Sequence, residues 1–252
     1  MSTALATEAL ARRFGGLVAV DEVTLRLHAG ERAALIGPNG AGKTTLVNLL
    51  TGTIPPSSGR IFLEGRDVTA LPAHRRARAG LVRTFQIRQL FDPLTPLEAV
   101  MLALLAARGR SLAPFRRLRR EEALLEEARA VLRSVGLEGL RGEPTRTLPY
   151  GAQRLLELAL ALAGRPKVLL LDEPAAGVPR EESREILQTI ARLPRSVTVL
   201  LIEHDMDLVF RFAERILVMV QGRILADGSP REVAGDPRVR AAYLGGSIDV
   251  GS

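Results

Sequence analysis

The apolar residues in the second half of the chain form short runs separated by amphipathic stretches. Residues 168–171, 197–202 and 216–220 are almost entirely apolar. Short runs of this kind are typical of strands buried on both faces, and the stretches between them have helical spacing. The pattern therefore predicts an α/β fold in which helices cover both faces of a parallel sheet.

The first part of the chain has a different pattern. Residues 23–28 alternate apolar and polar side chains, and residues 60–64 do the same after the turn-forming cluster at residues 53–59. Alternation with period two predicts strands, and these make a β-rich edge early in the chain. Residues 32–36 are a further predicted strand, and we expect a helix to begin at about Gly42.

The middle of the chain, residues 96–136, has a helical pattern. Six apolar residues recur at the spacing of one helix face, namely Leu124, Leu125, Ala128, Val131, Leu132 and Val135. No Pro/Ser-rich linker or internal repeat divides the chain. We therefore expect one domain of residues 1–252, with a helical insert at about residues 87–160.

Composition restricts the chemistry. The 252 residues contain no cysteine and three histidines, His28, His74 and His204, which are far apart in the sequence. Disulfides and thiolate catalysis are excluded, and a metal centre built from histidine is disfavoured. The longest apolar run, residues 99–107, has nine residues, whereas a helix needs about 20 to cross a bilayer. No secretory signal is legible at the N-terminus, so we expect a cytoplasmic location.

The formal net charge of +7 rests almost entirely on arginine, since Lys43 and Lys167 are the only lysines. A basic chain is compatible with nucleic acid, an anionic membrane surface or a phosphate-bearing ligand. The few aromatic residues are not interleaved with arginines, as a stacking platform for bases requires. We therefore expect no nucleic-acid partner.

A glycine-rich segment follows the predicted strand at residues 32–36 and opens a predicted helix. It matches the phosphate-binding loop (P-loop) pattern G-x-x-x-x-G-K-[ST] with Gly37, Pro38, Asn39, Gly40, Ala41, Gly42, Lys43, Thr44 and Thr45. Glycine lets the backbone curl with its N–H groups toward phosphate. We predict that Lys43 reaches the β- and γ-phosphates and that the Thr44 hydroxyl binds Mg²⁺.

Two acids end the predicted strand at residues 168–171. We predict that Asp172 holds the metal and its water shell, and that Glu173 acts as general base on the water that attacks the γ-phosphate. Together the two motifs predict a Mg²⁺-dependent nucleoside triphosphatase. A small-molecule kinase has the same loop, but the sequence shows neither a lid nor an acceptor pocket.

Further motifs fall in the order of one known family. The segment Leu148-Pro-Tyr-Gly-Ala-Gln153 precedes a predicted amphipathic helix at residues 154–163. Here the chain resembles the ATP-binding cassette (ABC) family, whose signature is usually L-S-G-G-Q; Leu148, Gly151 and Gln153 match its longer form. The other matching positions are Phe14, Gln86, the turn at residues 174–178 and His204.

This resemblance covers nearly the whole chain. It implies a P-loop NTPase (RecA-like) core with an N-terminal antiparallel β subdomain and a helical subdomain insert. It also implies two cassettes arranged head to tail, with each ATP between the P-loop of one and the signature of the other. By the same resemblance Phe14 stacks on adenine, Gln86 senses the metal and the attacking water, and His204 contacts the γ-phosphate. The signature residues that would contact the partner's ATP are Leu148, Pro149, Tyr150, Gly151 and Gln153.

The signature departs from the family pattern. Pro149 replaces the usual serine and has neither a hydroxyl nor a backbone N–H for phosphate. Tyr150 and Ala152 replace the usual glycine and glutamine, and Pro179 replaces an aspartate common in the turn after the catalytic glutamate. We therefore expect one phosphate contact to be missing, and the hypothesis follows that this subunit works beside a different cassette with a more usual signature.

Several strings resemble the ATP-binding subunits of branched-chain amino acid importers. They are the tyrosine-bearing signature and residues 12–20, 83–86, 90–95, 173–177, 202–206 and 242–245. Related branches that transport urea, short amides or lipopolysaccharide have several of the same strings. Soluble ABC proteins that act on nucleic acid usually have two cassettes in one chain or long coiled coils, which this chain lacks.

The resemblance also implies partners. These are a second ATP-binding subunit, identical or different, two integral membrane permease subunits that dock on residues 87–147, and indirectly a periplasmic or extracellular solute-binding protein. The chain would then be peripheral at the cytoplasmic face of the cell membrane. The basic run at residues 116–120 is interpreted as a solvated helix face paired with Glu121 and Glu122; the alternative is contact with anionic lipid or acidic permease loops.

Overall fold

The computed structural model describes residues 2–84, 93–109 and 121–243. Within these ranges the chain forms ten strands in two sheets and nine α-helices. The strands are β1 (Thr3–Phe14), β2 (Leu17–His28), β3 (Arg32–Ile36), β4 (Ser58–Leu63), β5 (Arg66–Asp67), β6 (Leu81–Thr84), β7 (Val168–Asp172), β8 (Thr198–Ile202), β9 (Arg215–Val220) and β10 (Arg223–Gly228). The helices are α1 (Lys43–Thr51), α2 (Ala73–Ala79), α3 (Pro96–Ala107), α4 (Glu122–Ser134), α5 (Tyr150–Ala163), α6 (Arg180–Ala191), α7 (Met206–Phe212), α8 (Pro230–Gly235) and α9 (Pro237–Tyr243).

The larger sheet has the strand order β10-β9-β3-β8-β7-β6. Its strands from β9 to β6 are parallel and β10 is antiparallel at one edge. All five residues of β3 are buried. Ala34 and Ile36 pack into one apolar cluster, and Ala33 and Leu35 pack into the other. The predicted parallel sheet, covered on both faces, is confirmed.

The smaller sheet has the order β2-β1-β4-β5 and is antiparallel, which confirms the N-terminal antiparallel β subdomain. Four details differ from the sequence predictions: β1 and β5 were not predicted, β2 begins at Leu17, and β4 begins at Ser58 inside the predicted turn cluster. The register of β1 shifts several times along its length, and Ala9 has a left-handed φ of 43°. Such bulges interrupt the period of two by which a strand is recognised.

Helices α3, α4 and α5 pack together in the middle of the chain. Leu124, Ala128 and Leu132 of α4 are buried, as the helical spacing predicted. One boundary was wrong, because the helix expected from residue 154 begins at Tyr150, inside the signature. Pro149 is the N-cap, with φ −53° and ψ 151°, and the helix begins directly after it.

The parallel arrangement places several predicted site residues at one edge of the larger sheet. The carboxyl ends of β3, β7 and β8 lead into the P-loop, into Asp172 and Glu173, and into His204. Ligands of open α/β sheets bind at this edge. In the described residues no helix combines the length and the apolarity needed to span a membrane.

Candidate nucleotide site

The P-loop connects β3 to α1, and α1 begins at Lys43 with Gly42 as its N-cap, as predicted. Gly42 has a φ of 101°, and a Cβ there would lie 2.3 Å from the Ala19 carbonyl oxygen. Only glycine avoids both the strain and the clash. The Lys43 ammonium donates to the carbonyls of Gly37 at 2.6 Å and Pro38 at 3.0 Å, so the side chain lies across the loop.

Acidic side chains at the end of β7 face the P-loop. Burial lowers the pKa of Lys43, and the negative charges of Glu173 and Asp172 oppose that shift. Thr44 is exposed at the start of α1. The fold therefore places the lysine and the hydroxyl at the start of α1, and the two acids at the end of β7, where their charges act on the lysine.

Asp172 forms an ion pair with Arg83 of β6. The same guanidinium donates to the Asn48 Oδ1 atom of α1 at 2.7 Å. Arg83 therefore joins β7, β6 and the P-loop helix. Sequence analysis noted Arg83 only within a family string, and it did not single out Asn48; no local pattern marks either residue as part of the site.

Glu173 and His204 lie side by side at the ends of neighbouring strands. The Glu173 N–H donates to the Ile202 carbonyl at 2.9 Å, and the Glu173 backbone has a left-handed φ of 47°. The His204 Nδ1 atom lies 3.5 Å from Glu173 Oε1 and 3.7 Å from Glu203 Oε2. A non-glycine residue held in a left-handed conformation at a strand end is frequent at functional sites.

Glu203 is a site residue that the sequence analysis missed. It is 3% exposed, and burial raises the pKa of its carboxyl group, although the His204 N–H donates to it at 3.1 Å. Its position before His204 was visible in the sequence, but its burial was not. A cavity of about 300 Å³ lies beside these residues, between the turn that follows Glu173 and helices α6 and α7.

Phe14 lies at the end of β1 and is 44% exposed. The Arg12 guanidinium carbon lies 4.6 Å from the centre of the ring, and Arg12 also donates to the Pro55 carbonyl at 3.0 Å. This contact holds the ring by a cation–π interaction while leaving part of it accessible. Gln86 lies outside the described residues, as do residues 87–92, the basic run at residues 116–120 and residues 244–245.

The signature residues form a second cluster. Leu148 is buried, and the Gln153 side-chain amide donates to its carbonyl at 2.9 Å. Gly151 is also buried, and a Cβ there would lie 2.3 Å from a Glu182 carboxylate oxygen. Pro149 and Tyr150 are exposed. Over the described ranges, the signature's polar contacts with other loops run to the turn at residues 175–178 and not to the P-loop.

Thr44 and Asp172 are the residues that would hold a metal at this site. The described part of the chain has no group of three or more His, Cys, Asp or Glu side chains that could hold a metal ion. Thr44 and Asp172 offer hydroxyl and carboxylate oxygens, the donors that Mg²⁺ prefers when phosphates and waters complete its shell. The residues present therefore fit a metal that arrives with a phosphorylated ligand.

Comparison with known proteins gives matches along nearly the whole chain. The family model described as ABC transporter matches residues 20–176, and a model described as branched-chain amino acid ATP-binding cassette transporter matches residues 223–249. The high-affinity branched-chain amino acid transport ATP-binding protein BraF of Pseudomonas aeruginosa is 43% identical, over 96% of this chain and 97% of its own. The lipopolysaccharide export system ATP-binding protein LptB of Acidithiobacillus ferridurans is 36% identical, over 99% of this chain and 100% of its own.

A solved structure agrees with these matches. The crystal structure of an ATP-binding cassette of an ABC transporter in its ADP conformation superposes with a TM-score of 0.85. It is 32% identical and covers 98% of this chain and 100% of its own. The fold is therefore that of the P-loop NTPase cassettes, as the sequence predicted.

Proposed function

The chain belongs to the ABC transporter family, and from this premise we propose that it is the ATP-binding and hydrolysing subunit that powers an importer of branched-chain amino acids. The observation that carries the proposal is the 43% identity to BraF over 96% of the chain. Residues 223–249 match a family model whose description also names branched-chain amino acids, and this match supports the proposal. The amino acid assignment rests on these likenesses.

ATP binding begins at the P-loop. Lys43 exchanges the carbonyl oxygens of Gly37 and Pro38 for oxygens of the β- and γ-phosphates, and the N-terminus of α1 adds positive potential. The other loop residues contribute their backbone N–H groups. Phe14 stacks on adenine, with Arg12 holding its ring. The contacts of Lys43 with two carbonyls support this exchange, because they already place the ammonium over the loop.

Mg²⁺ is held by Thr44 and, through its water shell, by Asp172, with Gln86 as a further ligand. When bound, the ion neutralises charge on the β- and γ-phosphate oxygens. Arg83 contacts one oxygen of the Asp172 carboxylate, and the carboxylate would bind the water shell of the metal.

Hydrolysis needs a base and an orienting group. Glu173 takes the proton of the attacking water from its position directly after β7, where its backbone is left-handed. His204 contacts the γ-phosphate and keeps the Glu173 carboxylate in place from 3.5 Å. Water attack on phosphorus then forms phosphate and ADP, with the proton on Glu173.

The assembly has a second ATP-binding subunit, two permease subunits and, indirectly, a solute-binding protein. The signature residues Leu148, Pro149, Tyr150, Gly151 and Gln153 face the nucleotide bound by that second subunit. The helical insert docks on the permease, which places the chain at the cytoplasmic face of the membrane. A solved relative, 27% identical with a TM-score of 0.79, is described as part of an ABC transporter complex, which supports such an assembly.

The test is to purify the chain with its membrane partners from its own host and to reconstitute the complex in liposomes. We expect ATP-dependent uptake of labelled leucine in the presence of the solute-binding protein. The Glu173→Gln variant should bind ATP as the native chain does and lose at least about 100-fold in turnover, because only the base is removed. Uptake of urea or an amide instead of leucine would show that the proposed solute is wrong. If the chain is purified only with ribosomes or nucleic acid, the proposed role in transport is wrong.

A further inference from the structure

Tyr150 has a large side chain at the position where the family signature usually has a glycine. It is the first residue of α5, and its ring is 44% exposed. Its hydroxyl donates to the Ala176 carbonyl at 3.3 Å. A glycine at this position could make no such contact.

Arg154, one turn further along α5, fixes the tyrosine. Its Nη2 atom donates to the Tyr150 hydroxyl at 2.5 Å and lies 3.4 Å from the same Ala176 carbonyl. Its guanidinium carbon lies 4.9 Å from the centre of the Tyr150 ring. Glu157 anchors the arginine from the other side, with oxygens 3.0 and 3.2 Å from Nη1. We call Tyr150, Arg154 and the Ala176 carbonyl the tyrosine clamp.

The clamp holds the turn that begins at Glu173. The Ala176 N–H donates to the Glu173 carbonyl at 3.0 Å. The residue contacted by the clamp is therefore hydrogen-bonded to the backbone of the proposed base. Glu173 has a left-handed φ of 47°, which a non-glycine residue keeps only where its surroundings hold it. The turn continues through Gly177, where a Cβ would lie 3.4 Å from the Tyr150 hydroxyl.

We propose that Tyr150 and Arg154 are positioning residues, which tie the start of the signature helix to the turn that presents Glu173. This inference rests on the proposed function, since it concerns how the base of that reaction is held. Pro149 removes a phosphate contact from the signature, and the clamp gives the same segment a contact with the turn of its own chain. Displacement of the signature helix then moves the Glu173 turn, because Tyr150 and Arg154 of the helix donate to the Ala176 carbonyl and the Ala176 N–H donates to the Glu173 carbonyl.

Amide hydrogen exchange on the purified, nucleotide-free chain tests the clamp without any turnover. In Tyr150→Phe, which keeps the ring, we expect exchange of the Ala176 and Val178 amides to rise about tenfold, as the loss of a hydrogen bond to the turn predicts. Arg154→Met should have the same effect. Tyr243→Phe is the matched control, because Tyr243 is the only other tyrosine of the chain. P-loop amides should be unchanged in all three variants.

A kinetic measurement on the assembled transporter gives the second readout. Arg154→Met should lower kcat about tenfold and leave KM for ATP unchanged, since the P-loop and the signature residues that face ATP are intact and only the base is displaced. Tyr150→Gly, which restores the usual family residue, should lower kcat at least as much. The proposal is wrong if the Ala176 and Val178 amides of Tyr150→Phe exchange at the native rate, or if the clamp variants keep the native kcat. If the native complex hydrolyses no ATP, the proposed function fails, and the exchange experiment still decides the inference.

Discussion

At the scale of single residues, arginine organises the site in ways that the motif patterns do not mention. Arg83 contacts the carboxylate of Asp172 and the side chain of Asn48. Asn48 lies four residues after Thr44, one turn along the same face of α1. A fixed cation therefore already joins the two elements proposed to hold Mg²⁺, before any metal arrives.

Arg83→Gln tests this arrangement. The variant loses a charge-assisted hydrogen bond of about 1.5–3 kcal/mol, so Asp172 is no longer held toward α1. We expect Mg–ATP to bind about tenfold more weakly, while ATP in the presence of EDTA binds as in the native chain. Calorimetric titration measures both affinities. Arg78→Gln, on the exposed side of α2, is the control. An equal loss with EDTA, or tighter binding with Mg²⁺, would contradict the prediction.

At the scale of elements, the P-loop helix is held at its far end by another buried arginine. Arg76 of α2 is 1% exposed and donates to the carbonyls of Leu49 and Leu50 at 2.6 and 2.7 Å. Its remaining donors reach the carbonyls of Leu71 at 2.9 Å and Thr69 at 2.7 Å. The last turn of α1 has no basic residue of its own. Arg76 therefore caps the negative end of α1 from a different element.

Arg76→Met keeps an unbranched side chain and removes every donor. The Leu50 carbonyl is buried and loses its donor, whereas the Leu49 carbonyl keeps the Gly52 N–H at 3.1 Å. A buried acceptor left without a donor costs about 1–3 kcal/mol, and the part-buried carbonyls of Leu71 and Thr69 lose a donor as well. We expect the free energy of unfolding to fall by about 2–4 kcal/mol, as measured by urea denaturation. The matched control, Arg75→Met, changes the exposed neighbour on the same helix and should stay within about 0.5 kcal/mol of the native chain. Equal stability of the two variants would show that Arg76 is not the cap.

At the scale of the whole molecule, the described site residues form two clusters. One joins the P-loop, the acids of β7 and His204, and the other joins the signature to the turn after Glu173. Residues of the parallel sheet pack into both apolar clusters of the fold. The proposed arrangement, in which a second cassette completes each ATP site, gives each cluster a role at a different nucleotide.

We predict that the Glu173→Gln chain stays monomeric with Mg–ATP and associates only when the second ATP-binding subunit of its transporter is added. Pro149 offers no hydroxyl or N–H to the partner's phosphate, so two copies of this chain lack that contact at both sites. Light scattering after size exclusion measures the mass, with the nucleotide-free mixture as control. Cooperative, ATP-dependent dimers of this chain alone would show that Pro149 does not prevent self-association.

Local features of the fold could be predicted from the sequence. The strand of residues 32–36 and the start of α1 were located because a buried strand, left-handed glycines and a helix start follow one another within a few residues. The prediction failed for β1, whose bulges break the alternating pattern. It also failed for the start of α5, because the helix begins at Tyr150, directly after Pro149, and not at residue 154 after the signature.

The sequence by itself determined the family, the phosphate loop and the identity of the acids, since each of these depends on residues that are neighbours along the chain. The tertiary structure decided how those residues are held. Arg83 and Asp172 are 89 positions apart, and Tyr150 and Ala176 are 26 apart. No helical or strand period relates residues at such separations, so their pairing arises only when the sheet aligns β6 with β7 and α5 packs beside the turn after Glu173.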